Sequence, residues 1–197
     1  KCKIMITPAY TSKSTVPLHP SDQNKEQFLQ NIFIYFKNAV YNSNPAKEYI
    51  NQRNLDFKKL GIGYNGGQFH HGARKDQSLI DQCVRYGLLI DKGLTSKTGD
   101  KAYNIFGKYC IVITLKNSSN NLTGLYFRST VNNDKAKHYY LKDRCGLYPH
   151  YPKQSTKKLI LTETIIDAAS LIQYDEIISN YSVLACYGTN GLTEEHL

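Results

Sequence analysis

The sequence has no tryptophan, one methionine and too little acid: 16 Asp and Glu stand against 25 Lys and Arg. The formal charge of +9 points to a polyanionic partner, of which nucleic acid is the commonest, or to a merely basic solvated surface. No apolar run approaches the roughly 20 residues of a membrane span, so no membrane partner is expected. The opening residues Lys1-Cys2-Lys3-Ile4-Met5 are too polar for a secretory leader. No two cysteines form a C-x-x-C pair. Cys2, Cys83, Cys110, Cys145 and Cys186 are scattered and odd in number, which argues against a zinc site or a disulfide framework. Reduced thiols in the cytoplasm are the simplest reading. The Asn-x-Ser/Thr matches at Asn117 and Asn121 are then chance.

What is present is an ordinary globular composition, 41% hydrophobic and 21% charged, in 197 residues. That length supports one core or two small subdomains. The absent tryptophan is offset by 16 tyrosines, expected mostly as half-buried packing residues, although a tyrosine can also stack on a base.

Residues 1–24 mix Ser, Thr, Pro and Lys and read as a tether, with a short strand near Lys3 to Ile6. Phe28, Leu29, Ile32, Phe36, Ala39 and Val40 predict a helix from Lys25 to Tyr41, capped by Ser21 or Asn24. Pro45 starts a second helix over Ala46 to Asn51. Leu60 to Gly67 is a short strand entering a glycine turn. Ser78 to Tyr86 is a helix closed by Gly87. Tyr109–Leu115 and Leu122–Arg128 form a hairpin around the turn Asn117–Asn121. Residues 129–157 are irregular and basic. Lys158–Thr162 then reads as a buried parallel strand, Asp167–Tyr174 as a helix and Ser182–Cys186 as a second strand, which makes a βαβ unit. Thr193-Glu194-Glu195 opens a further helix.

In an open α/β sheet, reactive groups gather at the carboxyl ends of the strands. Glu163 directly follows the first parallel strand, and Asp167 lies four residues on, near the start of the next helix. Two such carboxylates suit Mg²⁺ bound together with substrate phosphates, and one could take a proton from an attacking hydroxyl. Spacing alone favours the simpler reading, a surface acid at Glu163 and a helix cap at Asp167. His70-His71 imitates a metal pair, but adjacent loop histidines are usually solvent-exposed.

The segment Leu159-Ile160-Leu161-Thr162-Glu163-Thr164-Ile165-Ile166-Asp167-Ala168 resembles the first motif of TOPRIM domains, an apolar strand followed by Glu-Gly-x-x-Asp. Val183–Thr189 resembles that family's second strand and glycine turn. Upstream, Ala46, Tyr49-Ile50, Arg53 and Gly61-Ile62-Gly63-Tyr64 are similar to the start of the DnaG-type primase core. Leu79 to Leu89, the hairpin Gly107–Arg128 and the stretch from Tyr139 to Tyr148 follow the order of that core. The resemblance implies an α/β chain: an α+β N-terminal subdomain over 25–157, then the first half of a TOPRIM domain over 158–197. Thr164 replaces the usual Gly, so its loop avoids positive φ. Asn65-Gly66 and a lone Lys108, where the family carries several arginines, are further departures that fit a divergent primase such as that of a plasmid or mobile element.

What the resemblance implies in function is template-directed RNA primer synthesis from nucleoside triphosphates on single-stranded DNA, with two Mg²⁺ (or Mn²⁺) ions. Glu163 is the expected metal ligand or proton acceptor, and Asp167 the second metal ligand. Lys108, Arg128, Lys142 and Arg144 are expected to follow phosphates of the template or the RNA–DNA hybrid. A replicative helicase is a further expected partner. The second acidic motif and a zinc-binding domain are expected outside this chain, which would then be inactive alone. Two other readings remain: a TOPRIM nuclease or topoisomerase-like enzyme, and a non-catalytic nucleic-acid-binding module.

Overall fold

The computed structural model describes residues 20–72, 76–95, 99–131 and 137–197, with side chains from Lys25 onward. The strand expected near Lys3 to Ile6 lies outside these residues. Helix α1 spans Pro20–Val40, so it begins before the expected caps, and Ser21 and Asn24 fall inside it. A proline at the first helical position suits this start, because its fixed φ is helical and its missing N–H has no partner there anyway. Residues 20–24, read from sequence as tether, are therefore helical. Phe28, Leu29, Ile32, Phe36 and Val40 are buried along one stripe of α1, as their spacing requires.

Helix α2 (Asn44–Gln52) is capped by Ser43, whose hydroxyl accepts from the Ala46 N–H at 3.3 Å. Asp56 caps the short α3 (Phe57–Leu60), and Asp76 caps α4 (Gln77–Arg85). Four strands form an antiparallel sheet in the order β1 (Gly63–Asn65), β4 (Cys110–Lys116), β5 (Leu122–Ser129), β6 (His138–Tyr140). Between β1 and β4 the chain adds a hairpin, β2 (Leu89–Thr95) with β3 (Lys101–Ile105). Its side chains beyond Leu89 are exposed along β2. The stretch read as irregular from sequence contains β6, and Leu147 within it bridges back to Lys116.

The sheet is covered on both faces. Ile111, Ile113, Leu115 and Tyr126 join one apolar cluster with α2, Ile62 and Tyr64. Cys110, Val112, Leu125 and Phe127 join a second cluster with α1 and α4. Alternation along a strand sends neighbours to opposite faces, so strands apolar at every position are those with two covered faces. Burial pushes the thiols of Cys83 and Cys110 up to about 12, which makes them inert packing groups. Four cysteines among the described residues are free.

The βαβ unit is present. Strands β7 (Leu159–Thr162) and β8 (Ser182–Ala185) are parallel, and α5 (Ile165–Ile172) and a short α6 (Asp175–Asn180) link them. Strand β7 is not buried as its apolar run suggests, because Leu159 and Leu161 are about half exposed (46% and 52%) while Ile160 packs inward. Thr193-Glu194-Glu195 yields only a 3₁₀ turn, Glu194–His196. Ile165, Ile166, Ala168, Ala169, Val183 and Ala185 share the cluster of Ile111 and Tyr126, so apolar packing runs straight across residue 158. Polar contacts brace the same junction. The Gln173 side chain accepts from the Asp56 N–H at 3.0 Å and donates to the Asn54 carbonyl at 2.9 Å. Lys59 pairs with Asp175 at 2.6 Å.

Two stability predictions follow from this packing. A Cβ added at Gly63 would stand 2.8 Å from the Phe36 Cβ, because α1 lies directly on β1. Gly63→Ala should cost about 1–3 kcal/mol in denaturant unfolding, and an unchanged midpoint would contradict the close approach. His70, 8% exposed, is held down at about 4 by burial and by His71. Its imidazole charges more readily in the unfolded chain. Its contribution is therefore complete above the ordinary value of 6.5 and is lost as pH falls from there towards 4. Between pH 7.5 and 5 this should amount to about 1–2 kcal/mol of lost stability, absent in His70→Leu; equal pH slopes for the two proteins would refute it.

Candidate active site

Strand β7 delivers Glu163 and helix α5 delivers Asp167. The Cys186 N–H donates to the Thr162 carbonyl at 2.8 Å, and the Gly188 N–H donates to the Glu163 carbonyl at 3.0 Å, which ties the strand end to the turn after β8. The Thr189 hydroxyl donates to Glu163 Oε1 at 2.7 Å. Thr164 is the helix cap, with φ −124° in the extended region. A side chain is therefore tolerated at this position, as its extended φ allows. Its Oγ accepts from the Asp167 N–H at 3.2 Å and donates to Asp167 Oδ2 at 2.7 Å. Asp167 is thus not the cap. It lies in the first turn of α5, where the helix dipole favours negative charge. Both carboxylates are exposed.

Asp167 opens onto a crevice of about 140 Å³ lined by Tyr49, Arg53, Arg128, His138, Thr164 and Ile166. Tyr49 lies in α2, and Arg53 ends it, with its guanidinium 5.8 Å from the centre of the Tyr49 ring. Arg128 of β5 stands opposite His138 of β6 in the sheet register. Its Nε donates to the Tyr49 hydroxyl at 3.1 Å, and its Nη1 meets His138 Nε2. Arginine can only donate, so Nε2 accepts. The ring proton then sits on Nδ1, which donates to the Tyr126 hydroxyl oxygen at 2.6 Å. An imidazolium would have no lone pair for Arg128. Consistently, partial burial, Arg128 and Arg53 hold His138 below its ordinary value, against the opposing pull of Asp167 and Glu163.

Of the residues singled out from sequence, Arg128 and Asp167 meet in this crevice. Glu163 is near enough to act on His138, although it does not line the cavity. Lys108 and Lys142 do not line it either. Lys108 reaches over the Tyr109 ring at 4.7 Å, and Lys142 stands beside Gly87. Arg144 stacks on Tyr187 at 4.1 Å and on Tyr140 at 5.2 Å, across the junction between β6 and the βαβ unit. The four basic residues are therefore not one cluster. His70 and His71 stack with ring centres 4.0 Å apart, and His70 is buried rather than exposed as expected. Among the described residues, no group of three or more His, Cys, Asp or Glu is arranged to hold a metal. Sequence reasoning passed over Tyr49, Arg53 and His138 as site residues. The first two stand in the primase-like step after α1 and could have been taken from it. His138 carried no signal, since its strand was not foreseen.

No protein-family model matches the chain, and no curated protein matches it. Solved structures do. A DnaG primase catalytic domain bound to single-stranded DNA matches at TM-score 0.64 and 16% identity, over 88% of this chain and 58% of that one. The zinc-binding and RNA polymerase domains of Aquifex aeolicus primase match at TM-score 0.68 and 18% identity, over 93% of this chain and 46% of that one. The RNA polymerase domain of Mycobacterium tuberculosis DnaG, in complex with double-stranded DNA, matches at TM-score 0.63 and 16% identity, over 89% and 58%. The chain thus spans about half the length of the primase chains it matches. Over that span it has the fold of the DnaG primase catalytic core.

Proposed function

We propose that this chain is the nucleotide-handling part of a primase-type nucleotidyltransferase, acting in template-directed RNA primer synthesis. The observation that carries the reading is the crevice in which Asp167, at the start of α5, faces Arg53 and Arg128 from the antiparallel half of the molecule. Carboxylates beside guanidinium groups at the carboxyl end of a parallel strand suit the transfer of phosphoryl groups, whose charge needs both a cation and oriented donors. The fold of DnaG catalytic cores supports the same reading.

Glu163 and Asp167 would hold a divalent cation. Each has one oxygen fixed by a threonine hydroxyl, and Glu163 Oε2 and Asp167 Oδ1 have no hydrogen-bond partner among the described residues. Two hard oxygen donors fit Mg²⁺ or Mn²⁺, which take one or two carboxylates and complete their shells with water and phosphate. The bound ion would neutralise charge on the phosphates and activate the attacking hydroxyl. Arg53 and Arg128 bind the triphosphate, and their planar forks match phosphate oxygens. Glu163, exposed at the strand end, accepts the proton of the attacking hydroxyl or serves as ligand. Lys108, Lys142 and Arg144 lie outside the crevice and follow the phosphates of template or hybrid, where a scattered arrangement suits an extended polymer.

Primer synthesis on a single-stranded template with Mg²⁺, in the protein that contains this chain, tests the proposal. Glu163→Gln should lower the rate by about 100-fold or more, and full activity in that variant would remove its assigned role. In the chain itself, Mn²⁺ binding should weaken about tenfold in Asp167→Asn. Oligonucleotide affinity should fall steeply with salt, and each of Lys108→Ala and Lys142→Ala should reduce the log–log slope by about one. Salt-sensitive binding with neither metal affinity nor synthesis would identify a nucleic-acid-binding module instead.

A further inference from the structure

Arg53 and Arg128 share a crevice with a carboxylate, yet neither forms an ion pair with Asp167 or with any other acid among the described residues; the pairs there are Lys59–Asp175 and Lys101–Asp91. Uncharged groups hold them instead. The Tyr49 ring lies under Arg53 at 5.8 Å, and its hydroxyl accepts from Arg128 Nε at 3.1 Å. His138 accepts from Arg128 Nη1 and is itself fixed by Tyr126.

The choice of partner matters physically. A carboxylate at either position would orient the guanidinium equally well but would cancel its charge and compete with an incoming anion. A phenol and a neutral imidazole orient it and leave the charge in place. The contacts also leave hydrogen-bonding capacity: a guanidinium has five N–H donors, and Arg128 commits Nε and one Nη to these partners. The crevice, at about 140 Å³, is well below the ~300–1,000 Å³ of pockets that enclose whole small molecules. It has room for phosphoryl groups and not for the base and sugar attached to them.

From this geometry we infer that Tyr49 and His138 are positioning residues, which hold Arg53 and Arg128 by uncharged contacts so that both cations remain available to the polyphosphate of a nucleotide. The inference rests on the proposed reading of the crevice as a phosphate site. Tyr49 serves both arginines at once, through its ring and its hydroxyl. His138 serves Arg128 alone, and its place directly across the β5–β6 register makes the contact a property of the sheet.

The test is calorimetric titration of inorganic tripolyphosphate into the chain at neutral pH, with thermal midpoints recorded for each variant. Arg128→Ala should weaken binding about tenfold or more. His138→Glu should weaken it as much although Arg128 is retained, because the new carboxylate takes the guanidinium. His138→Gln, whose amide oxygen can accept as the imidazole does, should stay within about threefold of wild type. Tyr49→Phe should lose about three- to tenfold while the ring stays under Arg53. If His138→Glu and Tyr49→Phe bind as wild type while Arg128→Ala fails, the positioning role is overturned and the phosphate reading stands. If wild type and Arg128→Ala are indistinguishable, both fall. Should His138→Glu not fold, Tyr49→Phe at an unchanged midpoint decides the matter.

Discussion

The β4–β5 pair is buried on both faces, and this limits where charge can stand. Ile111, Ile113 and Leu115 turn to one apolar cluster, Cys110 and Val112 to the other. A charged side chain in the middle of either strand would lose its water on whichever face it took. Charge therefore collects where the strands run out. Arg128 is the penultimate residue of β5, and His138 opens β6. The register that joins them, Arg128 opposite His138, follows from the pairing Tyr126 with Tyr140 two steps deeper in the sheet. Closely paired cross-strand neighbours are within reach of each other's side chains. The Arg128–His138 contact is thus set by the apolar register rather than by any attraction between the two groups.

Helix α5 carries that constraint across the molecule. Its inner face, Ile165, Ile166, Ala168 and Ala169, packs into the cluster of Ile111 and Tyr126. Its first turn holds Asp167 over the crevice, and the residue that ends it, Gln173, is bonded to Asn54 and Asp56. Asn54 directly follows Arg53. Both ends of one short helix are therefore referred to the same few residues after α2. Helix geometry, a rise of about 1.5 Å per residue, then relates the acid to the arginine. Small residues at Ala168 and Ala169 let the helix come close, so larger side chains there would move Asp167 as well as disturb the core.

What could be read from the sequence was governed by periodicity. The stripe of α1, the two-faced strands of the hairpin and the βαβ order all have strong patterns, and each is present. The hairpin β2–β3 was invisible because its residues, from Ile90 to Thr95, bury no alternating face. Strand β6 is three residues long, too short for any period to register. Helix α1 extends back to Pro20, beyond the first core residue, because its early turns need no apolar stripe. The placement of Glu163 at a strand end and of Asp167 in the first turn of the next helix was legible from the apolar run before them. The supports of Arg128 were not, since Tyr49 lies far from it in the chain and meets it only through the fold, and His138 sits on a strand with no pattern of its own.

Thr164, which stands where the resembled motif carries glycine, fits the same scheme. With φ at −124°, the loop does not need a residue free to adopt positive φ. The hydroxyl caps the helix and also fixes one oxygen of Asp167. Thr189 does the same for Glu163. The acids are thus oriented by hydroxyls, and the arginines by a phenol and an imidazole. Acids and bases stand side by side without neutralising each other, which direct pairing would have done at little cost on an exposed surface. Under the proposed reading, such an arrangement would leave the carboxylates open to a cation and the guanidinium groups open to an anion, so that a ligand bringing both would satisfy them at the same time.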